Sequence, residues 1–153
     1  MFGTFKIGAI FTIMALLLAG LAACTAEPTP KLSIQDPWVR PAVMGGNAAV
    51  YFTLVNNGNV SDALVGASSD AVETMGIHET RMEGDAMRMV PVPRIEVPAG
   101  GRTKLEPGGF HDGSYHLMLV ELKQDLKPGD TVSVTLRFEK NDEITVEAEV
   151  LQP

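Results

Sequence analysis

Apolar residues occupy every second position from Val132 to Phe138 and again from Ile144 to Val150, with Thr, Ser, Arg and Glu between them. This period of two is typical of a β-strand with one buried face, because successive side chains of a strand point to opposite sides. Asn141-Asp142 lies between the two segments and favours a hairpin turn. The pattern therefore predicts two antiparallel strands whose outer face is polar.

Short β-prone runs separated by Gly- and Pro-containing turns continue over the rest of the domain. No window has a sustained helical period, although 122–126 is long enough for one helical turn. Many short strands with such turns indicate an all-β fold, either a sandwich or a barrel. The further predicted strands are Ile34–Val39, Ala49–Val55, Ala63–Ala67, Val72–Thr80, Ala86–Val90, Arg94–Val97, Arg102–Leu105 and Tyr115–Leu122.

The first 23 residues are predicted to be a signal peptide. Lys6 is their only charged residue. The apolar run that follows is shorter than a typical membrane-spanning helix. The segment ends in Leu-Ala-Ala-Cys, which resembles a bacterial lipobox and implies that Cys24 is acylated. We therefore expect an exported lipoprotein, anchored to a membrane and facing the periplasm or the cell exterior. An ordinary signal peptide or an uncleaved anchor are the alternatives.

Residues 24–31 are then a lipidated N-terminus and a polar, Pro-containing tether, and residues 32–153 form one domain. The formal net charge is −7, and no run of Lys and Arg offers a basic patch, so nucleic acid is not an expected partner. Cys24 is the only cysteine. A lipid on its sulfur excludes both a structural disulfide and a cysteine nucleophile.

Two pairs of residues form a candidate metal site. His78 is followed after ten residues by Met89, and His116-Leu117-Met118 comes later in the chain. Imidazole and thioether groups are neutral and fairly soft, which suits Cu(I), whereas carboxylate and carbonyl oxygens suit harder ions. His116 and Met118 are two apart, so on a strand they share a face.

The hairpin between His78 and Met89 has two plausible registers. A turn around Glu83-Gly84 pairs His78 directly with Met89, at a Cβ separation of about 4.5–5.5 Å. A turn on Gly84-Asp85 pairs His78 with Pro91 instead. The first register also places Met82 and Met87 on the face of His78, and the sequence does not choose between the two.

These motifs resemble the PCu(A)C family of periplasmic copper(I) chaperones over nearly the whole domain, from about residue 34 to residue 150. The resemblance rests on GIHETRMEGDAMRMVPVPRIEVPAGGRTKLEPGG and YHLMLVELKQDLKPGDTVSVTLRFE. The family pattern is His, ten residues, Met, about twenty-one residues, then His-x-Met. Here 26 residues separate Met89 from His116, which predicts an insertion over 110–114. His111 meets the family spacing but lacks a Met partner, so it is interpreted as a loop residue, with a weak auxiliary ligand as the alternative.

The resemblance implies a cupredoxin-like β-sandwich that binds Cu(I) through His78, Met89, His116 and Met118. It also implies delivery of copper to the copper centre of cytochrome c oxidase, directly or through a Sco-type protein, without enzymatic activity. A blue-copper electron carrier needs a cysteine ligand that the domain lacks. No nucleophile elbow supports an enzyme. A metal-free envelope lipoprotein that binds a protein partner is the remaining alternative.

Overall fold

The computed structural model describes residues 29–108 and 113–152, so the predicted signal peptide, Cys24 and His111 lie outside the described residues. The described part of the chain is built from ten strands. They are β1 (Leu32–Val39), β2 (Ala48–Asn56), β3 (Asp62–Ser68), β4 (Val72–Glu83), β5 (Ala86–Pro91), β6 (Ile95–Val97), β7 (Arg102–Leu105), β8 (Ser114–Leu122), β9 (Thr131–Phe138) and β10 (Ile144–Val150).

The all-β prediction is confirmed, and each predicted strand is present with bounds shifted by at most a few residues. The largest difference is in β4, which continues past Thr80 to Glu83 because the hairpin with β5 extends its pairing. Residues 122–126 hold no helical turn. Instead, Leu126 pairs with Ala42 through two backbone hydrogen bonds of 3.2 and 2.8 Å. Within the described ranges, no helix is long and apolar enough to span a membrane.

The strands pair in the order β5-β4-β8-β7-β2-β1-β10-β9-β3-β6, and β8 also pairs directly with β2. Most pairs are antiparallel, but β1–β10 and β7–β8 are parallel. The predicted hairpin of β9 and β10 is present, with Leu136 opposite Ile144. Strand β8 thus has β4 on one side and both β7 and β2 on the other.

The inner face of β4, β8 and β2 packs into the core. Ile77, Leu117, Leu119 and Val50 point inward and are buried. Because side chains alternate along a strand, their neighbours in sequence point to the outer face of the same strands. This alternation places His78, His116 and Met118 together on the outer face.

Asp62 connects the β9–β10 turn to the start of β3 through side-chain hydrogen bonds. Its side chain is 1% exposed. Oδ1 accepts hydrogen bonds from the backbone N–H groups of Ala63 at 2.7 Å and Lys140 at 2.9 Å, and Oδ2 accepts one from Asn141 at 3.0 Å. A single buried carboxylate therefore satisfies three backbone donors from two segments that are distant in sequence.

Replacing Asp62 by Ala is expected to lower the free energy of unfolding by about 2–3 kcal/mol, because buried donors lose a charged acceptor. The matched control is Asp142→Ala, at an exposed position in the same turn. The free energy of unfolding of that control should stay within about 0.5 kcal/mol of the value for the parent protein. Denaturant unfolding followed by circular dichroism measures both, and equal losses would contradict this role of Asp62.

Candidate metal centre

The antiparallel pairing of β4 with β8 brings the two candidate imidazoles face to face. His78 lies directly opposite His116 in the register. Their ring centroids are 5.7 Å apart and the ring planes are inclined by only 18°. Two histidines separated by 37 residues in sequence thus form one cross-strand pair on the outer face.

The hairpin of β4 and β5 has the second of the two predicted registers. Gly84 and Asp85 form a two-residue loop, so His78 lies opposite Pro91 and Met89 lies opposite Thr80. Gly84 has a φ of +63° at the first central position of the loop, which is typical of a type II′ turn. The direct pairing of His78 with Met89 is therefore wrong. Met89 still lies on the face of His78, at the diagonal position.

Met89 and Met118 come together at the mouth of a cleft. They line a cavity of about 360 Å³ together with Arg40, Asn47 and Tyr51. Met118 is two residues from His116 and shares its face, whereas Met89 is 55% exposed and borders solvent. The structure thus places the two thioethers at one cleft, beside the imidazole pair.

Each imidazole has one buried nitrogen without a hydrogen-bond partner among the described residues. These atoms are Nδ1 of His78 and Nε2 of His116. A buried polar atom without a partner costs about 1–3 kcal/mol, so such atoms are rare in folded proteins. A neutral imidazole nitrogen is a common metal ligand, and coordination would remove this cost.

Gly76 provides open space beside one of these nitrogens. It lies opposite Met118 in the β4–β8 register. A Cβ at this position would lie 3.0 Å from Cε1 and 3.5 Å from Nδ1 of His78. Any other residue would therefore crowd the space between His78 and Met118. Gly76 is not among the site residues predicted from the sequence, although a glycine inside a strand often marks a close approach.

Two hydroxyl groups close the site on its other side. Thr80 lies opposite Ser114, and both side chains are buried. Their hydroxyl oxygens lack partners among the described residues. A Cβ on Gly108 would lie 2.7 Å from Oγ1 of Thr80 and 3.2 Å from Oγ of Ser114, so the chain at Gly108 covers this end.

Ser114 is also absent from the predicted site, because the family spacing assigns it to an insertion over 110–114. Ser114 is instead the first residue of β8 and takes part in its pairing with β4. Its position two residues before His116, on the same face of a strand, is the signal that could have found it. Phe110, His111 and Asp112 lie outside the described residues.

Aromatic rings from β1 and β2 continue the row of imidazoles across the outer face. Tyr51 lies 6.4 Å from His116 and Trp38 lies 4.6 Å from Tyr51, both measured between ring centroids. The guanidinium carbon of Arg40 is 5.9 Å from the Tyr51 centroid. These rings shield His116, which is 1% exposed.

The donor set at this site is soft and uncharged. Nowhere in residues 29–108 and 113–152 do three His, Cys, Asp or Glu side chains gather as a metal site. Two imidazoles and two thioethers match the preference of Cu(I). Zn²⁺ also binds imidazole but combines it with thiolate, carboxylate or water rather than thioether, and Mg²⁺ and Ca²⁺ favour oxygen ligands.

A protein-family model described as "Putative lipoprotein LpqE-like" matches residues 32–150, which include every strand described above. The chain belongs to the LpqE-like family. Its similarity to the "Putative lipoprotein Lxx21020" of Leifsonia xyli is 33% identity over 138 residues, covering 83% of this chain and 80% of that protein. It is 36% identical over 121 residues to protein RP573 of Rickettsia prowazekii, covering 75% of this chain and spanning 64% of the length of RP573.

Two of the solved structures similar to this LpqE-like chain contain copper. The copper-bound PCuAC domain from PmoF2 is 27% identical, with a TM-score of 0.65 over 80% of this chain and 94% of that domain. The solution structure of Cu(I)-DR1885 from Deinococcus radiodurans is 29% identical, with a TM-score of 0.53 over 83% and 82% of the two chains. The predicted PCu(A)C resemblance and cupredoxin-like β-sandwich are confirmed.

The buried position of His116 in this LpqE-like domain favours the neutral form of its imidazole. Burial is the main cause that lowers the pKa of His116 below its ordinary value of 6.5, and the nearby His78 lowers it further. A neutral imidazole has a lone pair available for a metal, so the fold keeps His116 in its ligating form at more acidic pH than an exposed histidine.

The lowered pKa of His116 predicts how the stability of the metal-free protein depends on pH. As pH falls below about 6.5, the unfolded chain takes up a proton at His116 before the folded chain does. The unfolding free energy should therefore fall, and the loss should level off below the folded-state pKa. Urea unfolding between pH 7.5 and 5 measures this, with His116→Gln as the control. If the unfolding free energy of the wild type depends on pH no more steeply than that of His116→Gln, this prediction is wrong.

Proposed function

We propose that this protein is an extracytoplasmic Cu(I) chaperone that holds one ion with His78, Met89, His116 and Met118. The observation that carries the proposal is a pair of buried imidazole nitrogens that have no hydrogen-bond partner within residues 29–108 and 113–152, next to a cleft lined by two thioethers. The copper-bound relatives support it, because the fold and the family are the same.

The chemistry of the four donors suits an exported protein. Exposed thiols in an oxidising compartment are lost to oxidation or to disulfides. Thioethers and neutral imidazoles bind Cu(I) without thiolates. They also bring no anionic charge into the site, so no carboxylate has to be desolvated when the cleft is empty.

The unequal exposure of the donors supports a role in transfer. His116 is buried and held by neighbouring rings, so it keeps the ion bound in a fixed geometry. Met89 is half-exposed at the edge of the hairpin, where an acceptor can approach it. An acceptor cysteine or histidine would displace Met89 first and then the remaining ligands one at a time.

The proposal also covers the cellular location of the protein and the protein that accepts its copper ion. Residues 1–23 direct export, Cys24 carries the lipid, residues 24–31 tether the domain, and residues 32–153 carry copper. The lipoprotein names of the family and of the Leifsonia relative support the anchor. The acceptor is the copper-centre subunit of cytochrome c oxidase or a Sco-type protein, as the family resemblance implies, and the protein acts by handing over an ion rather than as an enzyme.

Replacing His78 or His116 by Ala should weaken Cu(I) binding by at least about 100-fold, because losing a ligand costs more than losing a residue that orients one. Met118→Leu and Met89→Leu, which keep the apolar volume, should weaken it less, with the smaller loss at the exposed Met89. Anaerobic competition with a colorimetric Cu(I) chelator measures the affinities.

Met75→Leu is the matched control, because Met75 lies on β4 but packs on the core side of the strand. Its Cu(I) affinity should equal that of the parent protein. Unfolding curves establish that each variant is folded. Unchanged affinity in folded His78→Ala and His116→Ala would end the chaperone proposal and favour a metal-free binding module.

A further inference from the structure

The β4–β5 hairpin carries an unusual amount of exposed thioether. Met87 is 47% exposed and Met89 is 55% exposed on this short, two-stranded element. Large apolar side chains on a surface leave hydrophobic area in water, and several of them together mark a surface that binds something. No Leu or Ile occurs from Met82 to Val90. The large apolar side chains of this hairpin segment are therefore mainly thioethers.

The register places three thioethers on one side of the hairpin. Met82 lies directly opposite Met87, and Met89 follows Met87 by two residues on the same face. Side chains directly opposite in an antiparallel pair have Cβ atoms about 4.5–5.5 Å apart. Long, flexible methionine side chains at that spacing can bring both sulfurs to one small ion.

This methionine patch, Met82, Met87 and Met89, is continuous with the His/Met site. It lies on the face of the sheet that carries His78 and His116. Met89 belongs to both, because it also lines the cleft with Met118. An ion held at the patch can therefore keep Met89 as a ligand while it passes to the cleft.

The charges of the hairpin allow a cation to approach the patch. Its two arginines, Arg81 and Arg88, lie opposite each other on the other face of the hairpin. Each is paired with a carboxylate, Arg81 with Glu79 at 2.7 Å and Arg88 with Glu83 at 2.6 Å. The methionine face thus carries no cationic side chain from Met82 to Met89, and the protein as a whole is acidic.

We propose that the methionine patch is a second, weaker Cu(I) site. The ion binds there first and is then transferred to the His/Met site, with Met89 as the shared ligand. The proposal rests on the proposed function, because it needs a tight site to receive the ion. The patch is weaker because all three of its side chains are thioethers, two of them exposed, whereas the His/Met site has two imidazoles. The transfer changes no oxidation state: the ion keeps Met89 as a ligand, loses Met82 and Met87, and gains His78, His116 and Met118.

Anaerobic titration of the protein with Cu(I), followed by NMR of ¹³C-labelled methionine methyl groups, tests the proposal. The first equivalent should shift Met89 and Met118. The second should shift Met82 and Met87. The M82L/M87L double variant should keep the first set of shifts and lose the second equivalent. It should also load the first equivalent more slowly than the parent protein in stopped-flow mixing with a Cu(I)–chelator complex.

The matched control is M44L/M75L, which removes two sulfurs outside the patch, one exposed and one on the core side of β4. It should bind both equivalents and load at the parent rate. A second equivalent that leaves Met82 and Met87 unmoved, or an unchanged loading rate in M82L/M87L, would overturn the methionine patch. Absence of the first set of shifts would instead overturn the proposed function.

Discussion

The pairing of β4 with β8 is the constraint on which the site depends. It sets Gly76, His78 and Thr80 opposite Met118, His116 and Ser114. A slip of one residue would turn the site residues of the strand that slips to the inner face. Ile77 and Leu117, directly opposite each other, prevent the slip because they are buried in the core. The hydrophobic core thus fixes the positions of polar side chains that point away from it.

The strands themselves could be predicted because their signal is local. Period-two alternation and turn residues identified all ten, and the separation of two between His116 and Met118 identified their common face. The His78–His116 pair could not be predicted in the same way, because β4 and β8 are far apart in sequence. The hairpin register depended on where Gly84 adopts positive φ, and both turns were compatible with the sequence. Gly76 was missed because its role is the space it leaves beside His78.

The site combines a rigid side with an accessible side. His116 is buried next to the ring of Tyr51, so its imidazole is held before any ligand arrives. Met89 lies on a two-stranded hairpin at the edge of the sheet and is half-exposed. Preorganised donors favour binding, since less order has to be created on association. An exposed, flexible thioether favours exchange, and together these properties suit a protein that must both retain and release one ion.

X-ray absorption at the copper edge, on protein loaded with less than one equivalent of Cu(I), tests the central claim most directly. The method counts the nitrogen and sulfur neighbours of the bound ion. We expect two imidazole nitrogens and two thioether sulfurs around each copper, with loss of one nitrogen in His116→Ala. A first shell of oxygen atoms, or one without any imidazole nitrogen, would contradict the account.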